Sequence, residues 1–410
     1  MTMEVLVTGA KGFIGKNLVE RLLRIDGIVI HQFDKENTID EIEEYIEKID
    51  FIFHLAGINR PENPEEFYKG NRDTIKELID VIEKKELKIP ILVTSSIQAE
   101  KDNDYGKSKL EGEIFLREYS KRNNAQIYIY RLPNVFGKWC RPNYNSVIAT
   151  WCYNIANNID ITISDRNVKL NFVYIDDVVN TFVSHLHEKI EIKEYYEIPT
   201  VYSKTLGEIS DLIHSFKNNR KTLVIEKVGK GFERALYSTY LSYLSKDNFS
   251  YGLTEHKDNR GAFVEILRTV DSGQFSISTS KPGITRGNHY HNTKNEKFLV
   301  IKGEAVIRFR NIYSDKVIEY HVSDKKLEVV DIPVGYTHNI TNIGTGEMIL
   351  VIWANELFDK ENPDTYYLEK NKSNDNSRNK TRDNKTFSSN SQTREIRCNR
   401  SHNSTYRSKL

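Results

Sequence analysis

The fold of the first half of the chain is decided by the stretch Val5-Leu6-Val7-Thr8-Gly9-Ala10-Lys11-Gly12-Phe13-Ile14-Gly15. A β-branched run leads into a loop with the spacing GxxGxxG, and an amphipathic helical pattern follows the loop. Glycines at this spacing let backbone amides approach a pyrophosphate at the positive N-terminus of the helix. The stretch therefore predicts a dinucleotide cradle formed by Gly9, Gly12, Phe13, Ile14 and Gly15.

Strand-like runs alternate with helical patterns from this loop to about residue 241. The runs are Glu4–Thr8, Ile28–Phe33, Phe51–His54, Ile91–Thr94 and Ile127–Tyr130. Such alternation predicts an α/β fold with a Rossmann-type doubly wound parallel sheet. After about residue 243, strand-like runs follow one another without a helical pattern, which indicates an all-β sandwich or barrel. The predicted domains are residues 1–243 and 253–369.

Composition narrows the class of protein. The 410 residues are 38% hydrophobic and 11% aromatic, and no run of 18 apolar residues occurs, so a membrane-spanning protein is excluded. The N-terminus shows no secretory signal, so we expect a cytoplasmic protein. Cys140, Cys152 and Cys398 are too few and too scattered for a disulfide framework.

The charge is distributed unevenly along the chain. The formal net charge is +1, but residues 370–410 carry 11 Lys and Arg against 3 Asp and Glu. This segment is rich in Asn and Ser and poor in apolar residues, so we expect a disordered basic tail. A nucleic-acid or membrane-surface arm is the functional alternative, although we expect a dispensable extension with no nucleic-acid partner.

An acidic residue follows the second strand-like run. Asp34 stands 19 residues after Gly15, where a carboxylate can accept the adenosine ribose hydroxyls and favour NAD. His31, Gln32 and Lys35 lie close by and can tolerate a 2′-phosphate, so the choice between NADP(H) and NAD(H) stays open.

A second motif suits carbonyl reduction. Tyr105 and Lys109 are spaced YxxxK, which places both on one face of a helix. A nearby ammonium is expected to lower the pKa of the tyrosine, which suits a proton donor to a carbonyl that accepts hydride. Upstream, Ser96 ends a Thr-Ser-Ser stretch after a strand and can offer its hydroxyl to the same carbonyl.

Together these motifs resemble the extended short-chain dehydrogenase/reductases that act on nucleotide sugars. The likeness covers roughly the first 240 residues and rests on GAKGFIG, HLAG, TSS, YGKSK, RLPNVFG and FVYIDDV. It implies a catalytic triad of Ser96, Tyr105 and Lys109, with Leu55, Ala56 and Gly57 at the cofactor and Asn134 at the sugar. Only eight residues separate Ser96 from Tyr105, which is short for the family. Leu170 replaces an arginine common in the family, so Arg166, Arg141 or Lys138 is expected to bind the substrate diphosphate.

The second half contains a set of potential metal ligands. His289, His291 and Glu296 lie within Gx5HxHx4Ex6G, and His338 lies within PxGx2Hx3N. His289 and His291 point to one face of a strand, and three imidazoles with one carboxylate suit a divalent ion. Both motifs resemble the cupin barrel, with Leu327 in place of one family glycine. A divalent metal, zinc by preference, is therefore expected.

The same residues allow a different chemistry. Arg286-Gly287-Asn288-His289 resembles the RGxH stretch of metal-free sugar epimerases of cupin fold. In that family the arginine holds the diphosphate and the histidine is the general base, so Arg286 is a further candidate substrate contact. The sequence leaves the metal-bound and metal-free alternatives open.

The whole arrangement resembles bifunctional enzymes of capsular polysaccharide precursor synthesis. The resemblance implies that the cupin epimerises C3 of a UDP-2-acetamido-2,6-dideoxy-4-hexulose. The reductase then reduces the C4 ketone with NADPH to UDP-2-acetamido-2,6-dideoxy-L-talose, on the route to UDP-N-acetyl-L-fucosamine. The expected substrate is a UDP-4-keto-6-deoxy-N-acetylhexosamine, and a homodimer or larger homo-oligomer is expected. The alternatives are an NAD-dependent nucleotide-sugar 4-epimerase or dehydratase with a structural cupin, and a non-enzymatic sugar-nucleotide sensor.

Overall fold

The computed structural model describes residues 2–188, 191–359 and 361–368. The predicted disordered tail, residues 370–410, lies outside these ranges. None of the helices within the described ranges is both long and apolar enough to cross a membrane.

The first half of the chain alternates strands with helices, as the sequence predicts. The strands are β1 (Met3–Thr8), β2 (Ile28–Phe33), β3 (Phe51–His54), β4 (Ile91–Ser96), β5 (Ile127–Leu132), β6 (Asn134–Phe136), β7 (Lys169–Tyr174), β8 (Tyr202–Thr205) and β9 (Val224–Ile225). The helices are α1 (Phe13–Leu22), α2 (Ile39–Tyr45), α3 (Glu65–Tyr68), α4 (Thr74–Lys84), α5 (Asp104–Asn123), α6 (Val147–Ala156), α7 (Ile175–Ser184), α8 (Leu206–Thr222) and α9 (Gly231–Leu241). Short 3₁₀ segments cover Ile46–Lys48 and Ile97–Glu100, and a π-helical turn covers Lys69–Asp73.

The central sheet is parallel, with the strand order β2-β1-β3-β4-β5. The order reverses between β1 and β3, which creates a crevice at the carboxyl ends of the strands. Both faces of β1 are buried, because Val5 and Val7 join one apolar cluster and Leu6 joins another. Burial on both faces explains why its sequence is continuously apolar. A smaller sheet, β6-β7-β8, adjoins this region.

The second half is built from strands. They are β10 (Glu255–Asp258), β11 (Gly261–Thr269), β12 (Gln274–Ser280), β13 (Thr285–Tyr290), β14 (Glu296–Lys302), β15 (Glu304–Asn311), β16 (Val317–Ser323), β17 (Val329–Ile332), β18 (Tyr336–Asn342), β19 (Met348–Ala354) and β20 (Tyr366–Tyr367). They form the sheets β10-β11-β12-β19-β14-β17 and β16-β15-β18-β13-β20, which enclose an apolar cluster that includes Phe298, Ile307 and Leu350. The predicted fold class, a doubly wound sheet followed by a β-rich region, is confirmed.

The two halves meet through backbone pairing. Strand β9 pairs in parallel with β11, where Arg268 is opposite Val224 and Thr269 is opposite Ile225. Between α9 and β10 the structure contains a short 3₁₀ helix, Lys246–Asn248. In this interval the sequence changes from alternating strand and helix patterns to strand patterns alone. The domain bounds, residues 1–243 and 253–369, stay predictions.

Candidate functional site

The glycine loop closes tightly against its own backbone. Gly9 has φ of +67°, a conformation that favours glycine, and a Cβ at Gly15 would collide with the carbonyl oxygen of Gly9. Gly12 is the N-cap of α1 and offers no side-chain cap. The first-turn amides of this helix, those of Phe13 and Ile14 included, are therefore open to an anion.

Asp34 is positioned by the same loop. The amide of Lys11 donates to its Oδ2 at 2.7 Å, and the amide of Lys35 donates to its Oδ1 at 2.9 Å. The side chain of Lys11 pairs with Glu36, with 3.0 Å between Nζ and Oε2. Beside Asp34 lies a cavity of about 220 Å³ lined by residues from the ends of β1, β2 and β3, among them Thr8, Asp34, Lys35, His54 and Ala56.

Leu55, Ala56 and Gly57 follow β3 at the same edge of the sheet. The amide of Leu55 donates to the carbonyl of Thr8 at 3.1 Å, and the amide of Ala56 donates to Thr8 Oγ1 at 3.3 Å. A Cβ on Gly57 would stand 2.9 Å from Nζ of Lys109. The HLAG motif therefore borders both the glycine loop and the predicted catalytic lysine.

The three predicted catalytic residues come together at this edge. Ser96 is the last residue of β4 and is buried, and its Oγ accepts a hydrogen bond from the amide of Gln98 at 3.1 Å. Tyr105 and Lys109 lie one turn apart on α5, and Lys109 donates to the carbonyl of Thr94 at 3.3 Å. The 3₁₀ turn after Ser96 fills the short gap to α5, so the eight-residue spacing is compatible with a triad.

The electrostatics differ from the expectation in one respect. Burial raises the pKa of Tyr105, and a hydrogen bond with Ser96 offsets only part of that rise. Burial lowers the pKa of Lys109 to about 8, with Glu113 acting in the opposite direction. The expected lowering of the Tyr105 pKa is therefore wrong for this structure, because desolvation is the largest influence on it and raises it. Tyr105 is held protonated, as a proton donor requires.

A buried carboxylate next to this triad was not found from the sequence. Glu113 is 2% exposed and accepts from Ser95 Oγ at 2.5 Å, from Tyr195 OH at 3.2 Å and from two nitrogens of Arg131 at 3.0 and 2.7 Å. These bonds tie α5 to the ends of β4 and β5. In the sequence, the only indication of this role is that a carboxylate follows Lys109 by four residues. That spacing is equally typical of an exposed helix face.

Asn71 is a second residue that the sequence did not reveal. It lies in the π-helical turn Lys69–Asp73 and is 1% exposed. Its Oδ1 accepts the amide of Ile58 at 2.9 Å, and its Nδ2 donates to Ser108 Oγ at 3.1 Å. The side chain therefore joins α5 to the backbone just after Gly57, beside the predicted catalytic lysine.

Arg141 is the predicted diphosphate contact that the structure brings toward the triad. Its guanidinium lies 5.1 Å from the ring centroid of Tyr144, and that of Arg60 lies 5.9 Å from the same ring. Tyr144 is close enough to Tyr105 to contribute to the rise of its pKa. Arg141 also borders a cavity of about 670 Å³ whose lining includes Ala10 and Lys11 of the glycine loop.

The other predicted substrate residues have partners of their own. Nη2 of Arg166 is 2.8 and 2.7 Å from the carboxylate oxygens of Asp211, and this arginine lines a separate surface cavity. Asn134 donates to the carbonyl of Asn171 at 3.0 Å and links β6 to β7. Lys138 pairs with Asp176 at 2.6 Å.

The four predicted metal ligands form one cluster in the β-rich region. One ligand atom from each of His289, His291, Glu296 and His338 lies within 4.8 Å of the others. Nε2 of His291 and Nε2 of His338 are buried without a hydrogen-bond partner among the described residues, and each lies 3.4 Å from Oε2 of Glu296. Buried acceptor nitrogens that converge on a carboxylate fit a divalent cation.

The charge state of the cluster also suits a cation. Burial, with the neighbouring His338 and His291, lowers the pKa of His289 to about 4. Burial raises the pKa of the Glu296 carboxyl, but the imidazoles of His291 and His338 outweigh it and the net pKa is lowered. The structure therefore holds a neutral His289 beside an ionised Glu296, which are the forms that bind a metal.

A β-bulge places Arg286 on the same face as His289. Asn288 has φ of +65° and has no register partner, so Arg286 is opposite Ile340 and His289 is opposite His338. Arg286 and His289 are three residues apart in the sequence, but their partners on β18 are two residues apart. Both side chains therefore lie on the same face of the sheet. The Arg286 guanidinium donates to Ser280 Oγ at 3.0 Å and to the carbonyl of Thr279 at 3.2 Å.

Two family models match the chain. Residues 5–198 match the NAD dependent epimerase/dehydratase family, and residues 256–366 match the Polysaccharide biosynthesis C-terminal domain. The UDP-2-acetamido-2,6-beta-L-arabino-hexul-4-ose reductase of Pseudomonas aeruginosa is 49% identical over 364 residues, which cover 89% of this chain and 98% of that protein. The chain belongs to this family of nucleotide-sugar reductases.

Solved structures agree with this assignment. The capsular polysaccharide assembling protein CapF from Staphylococcus aureus is 50% identical, with a TM-score of 0.84, and the match covers 90% of this chain and 100% of that one. The resemblance to a reductase joined to a C-terminal domain of capsular polysaccharide synthesis is confirmed. As a member of the nucleotide-sugar reductase family, the chain is an enzyme of the epimerase and reductase class.

Proposed function

We propose that the chain carries out two consecutive steps on one UDP-linked keto-sugar. The β-rich region, as a cupin domain, epimerises C3 of UDP-2-acetamido-2,6-dideoxy-4-hexulose, and the Rossmann-type domain reduces the C4 ketone to UDP-2-acetamido-2,6-dideoxy-L-talose. The observation that carries this proposal is that one chain contains two groups of reactive side chains. The first is the Ser96, Tyr105 and Lys109 set, and the second is the cluster of three histidines and Glu296. Its relative from Pseudomonas aeruginosa is named for reduction of a UDP-4-ketohexulose.

The residues of the reductase site have distinct roles. NADPH, when bound, supplies the hydride for C4. The phenol of Tyr105 gives its proton to O4, and Ser96 donates a hydrogen bond to the same oxygen. The ammonium of Lys109 favours the phenolate that Tyr105 becomes and binds the nicotinamide ribose. Arg141 binds the diphosphate of the substrate, and Asn134 contacts the sugar.

The residues of the cluster fit a divalent ion. Three imidazoles and one carboxylate form a ligand set that Zn²⁺ accepts, so His289, His291, Glu296 and His338 would hold the metal. A bound cation stabilises negative charge on a nearby carbonyl oxygen. Arg286, on the same face of β13 as His289, would bind the substrate diphosphate.

The chemistry sets the order of the two steps. A proton leaves C3 readily only while C4 is a ketone, because the adjacent carbonyl stabilises the carbanion as an enolate. Reduction at C4 removes that activation and preserves the new configuration at C3. Epimerisation must therefore come first.

An isotope experiment tests both halves of the proposal. The enzyme is incubated with the UDP-4-ketohexulose in D₂O and followed by proton NMR, first without and then with NADPH. We expect deuterium at C3 without cofactor and a C4-reduced product after NADPH is added. Tyr105→Phe should keep the exchange and lose at least about 100-fold in reduction. Glu296→Gln should lose the exchange and, when supplied with the C3-epimerised ketone, keep the reduction.

The same experiment separates the alternatives. Exchange that survives full removal of metal by a chelator would favour the metal-free mechanism with His289 as base. Reduction without exchange would limit the β-rich region to a structural role. Tightly retained NAD with no net consumption of cofactor would identify a 4-epimerase instead. A cytoplasmic location and a homodimer remain predictions, to be checked by cell fractionation and light scattering.

A further inference from the structure

Residues 363–368, which we call the strap, run across the cluster after β19. Asp364 lies at the centre of the strap, and its carboxylate accepts three consecutive main-chain amides. These come from Asn292 at 3.1 Å, Thr293 at 2.8 Å and Lys294 at 2.9 Å. All three residues directly follow His291, so the carboxylate fixes the loop that leads from β13 to Glu296.

The main chain of Asp364 also contacts a cluster residue. Its carbonyl oxygen lies 2.6 Å from Nδ1 of His291. A carbonyl can only accept, so Nδ1 carries the proton and Nε2 keeps its lone pair. That Nε2 is one of the two buried nitrogens beside Glu296.

Further contacts hold the strap in place. The buried ammonium of Lys294 donates to the carbonyl of Pro363 at 3.2 Å and to Thr365 Oγ1 at 3.1 Å. Thr337, which precedes His338, donates to the carbonyl of Leu368 at 2.6 Å. Strand β20 pairs with β13, with Tyr367 opposite His289. The strap therefore touches residues next to three of the four cluster members.

The backbone of Asp364 is specialised for this contact. Its φ is +37°, a region that side chains other than glycine seldom adopt and that Asp tolerates better than most. The five hydrogen bonds to its carboxylate compensate for this conformation. The turn aims the carbonyl at the imidazole while the carboxylate faces the loop amides.

We propose that Asp364 is a positioning residue for the metal site, which sets the ring orientation and tautomer of His291 through its carbonyl and fixes the 292–294 loop through its carboxylate. This inference rests on the proposed metal site. It assigns a role to a residue outside both sequence motifs, more than 70 positions from His291. Partners of this kind, which orient a ligand without touching the metal, typically change metal affinity about 10- to 100-fold.

The test measures Zn²⁺ affinity of the full chain by competition with a chromogenic chelator. Asp364→Ala is expected to weaken binding about 10- to 100-fold, and Asp364→Asn, which keeps an acceptor oxygen and tolerates positive φ, should recover part of that loss. Asp359→Asn is the matched control, because Asp359 accepts only from Glu361 and Asn362 among the described residues. The control should bind Zn²⁺ like the wild type.

A spectroscopic measurement separates positioning from a general loss of structure. Co²⁺ is added to each variant, and its visible absorption reports the ligand set and geometry. Asp364→Ala should alter the Co²⁺ spectrum, while NADPH-dependent reduction of the C3-epimerised ketone, which uses only the other domain, remains within about twofold of the wild type. If Asp364→Asn and Asp364→Ala both give wild-type affinity and spectra, the proposed role of Asp364 is wrong. If the wild type itself takes up no metal, the metal site and this inference fail together.

Discussion

Lys109 and Glu113 lie one turn apart on α5, and the negative charge of Glu113 counteracts the effect of desolvation on the pKa of the lysine. Lys109 is 9% exposed and Glu113 is 2% exposed. Burial lowers the pKa of Lys109 to about 8, and the Glu113 carboxylate acts to raise it. The charge state of Lys109, which the proposed role of Tyr105 requires, thus depends on a residue outside the predicted triad.

This pairing predicts a pH effect. Reduction should decline as pH rises through about 8, because Lys109 loses its proton there while Tyr105, whose pKa is raised, stays protonated. Glu113→Gln removes the group that raises the lysine pKa, so the decline should move to lower pH. At pH 8, kcat should fall roughly threefold to tenfold. The measurement is the pH profile of kcat with NADPH in excess.

Two variants control for other effects of that change. Glu118→Gln alters an exposed carboxylate on the same helix and should leave the profile unchanged. Ser95→Ala removes the 2.5 Å hydrogen bond to Glu113 but keeps the carboxylate, so the decline should stay near its wild-type pH. A Glu113→Gln profile that superimposes on the wild type would show that Glu113 has only a structural role.

Gly57 should be sensitive to a single methyl group. A Cβ at this position would stand 2.8 Å from Oδ1 of Asn71 and 2.9 Å from Nζ of Lys109, so the lysine must move. We expect Gly57→Ala to lower kcat roughly 10- to 100-fold with little change in melting temperature. Gly229→Ala is the control, because no atom of the described residues lies within 4 Å of its Cβ position. Equal activities of the two variants would contradict the placement of Lys109.

His54 should make the reductase domain sensitive to acid. Burial lowers its pKa from 6.5 to about 3, so the unfolded chain binds a proton below pH 6.5 that the folded chain does not bind. Stability is therefore complete above pH 6.5 and is lost as the pH falls. His54→Asn should reduce the loss in unfolding free energy between pH 7 and pH 5 by about 2 kcal/mol.

Urea unfolding at the two pH values measures this difference. His187→Asn changes an exposed histidine and should leave the pH dependence as it is in the wild type. The same acid sensitivity in His54→Asn and wild type would mean that His54 is not the group responsible.

The sequence correctly predicts those elements whose hydrophobic pattern is contained in a few consecutive residues. The run at β2 is apolar and β-branched, and its bounds, Ile28–Phe33, agree with the structure. Strand β13 is polar and contains a bulge at Asn288, so no period-two pattern marks it. The spacing of His289 and His291 still brings both into one cluster, because the bulge lies before His289.

The residues that sequence analysis missed have their partners far along the chain. Glu113 acquires its role from Arg131 and Tyr195, and Asp364 acquires its role from a loop about 70 residues earlier. Arg166 shows the converse, since an arginine expected at the substrate pairs with Asp211. A charge at a plausible position carries no information about the partner that the fold brings to it.

The cofactor preference is testable at the end of β2. Both oxygens of Asp34 already accept main-chain amides, and His31 is paired with Glu4 at 2.8 Å. Lys35 is therefore the basic residue near the ribose that we expect to meet a 2′-phosphate. Lys35→Glu should raise KM for NADPH about 10-fold or more and leave KM for NADH within about twofold.

Lys88→Glu makes the same charge change after α4 and should alter neither constant. Steady-state kinetics with both cofactors provide the comparison, and the ratio of kcat/KM values is the quantity that decides. If Lys35→Glu weakens NADPH and NADH equally, the side chain acts on the shared part of the cofactor and the 2′-phosphate is recognised elsewhere. If neither KM changes, Lys35 does not contact the 2′-phosphate. Lys11, which pairs with Glu36, is then the next basic residue to test.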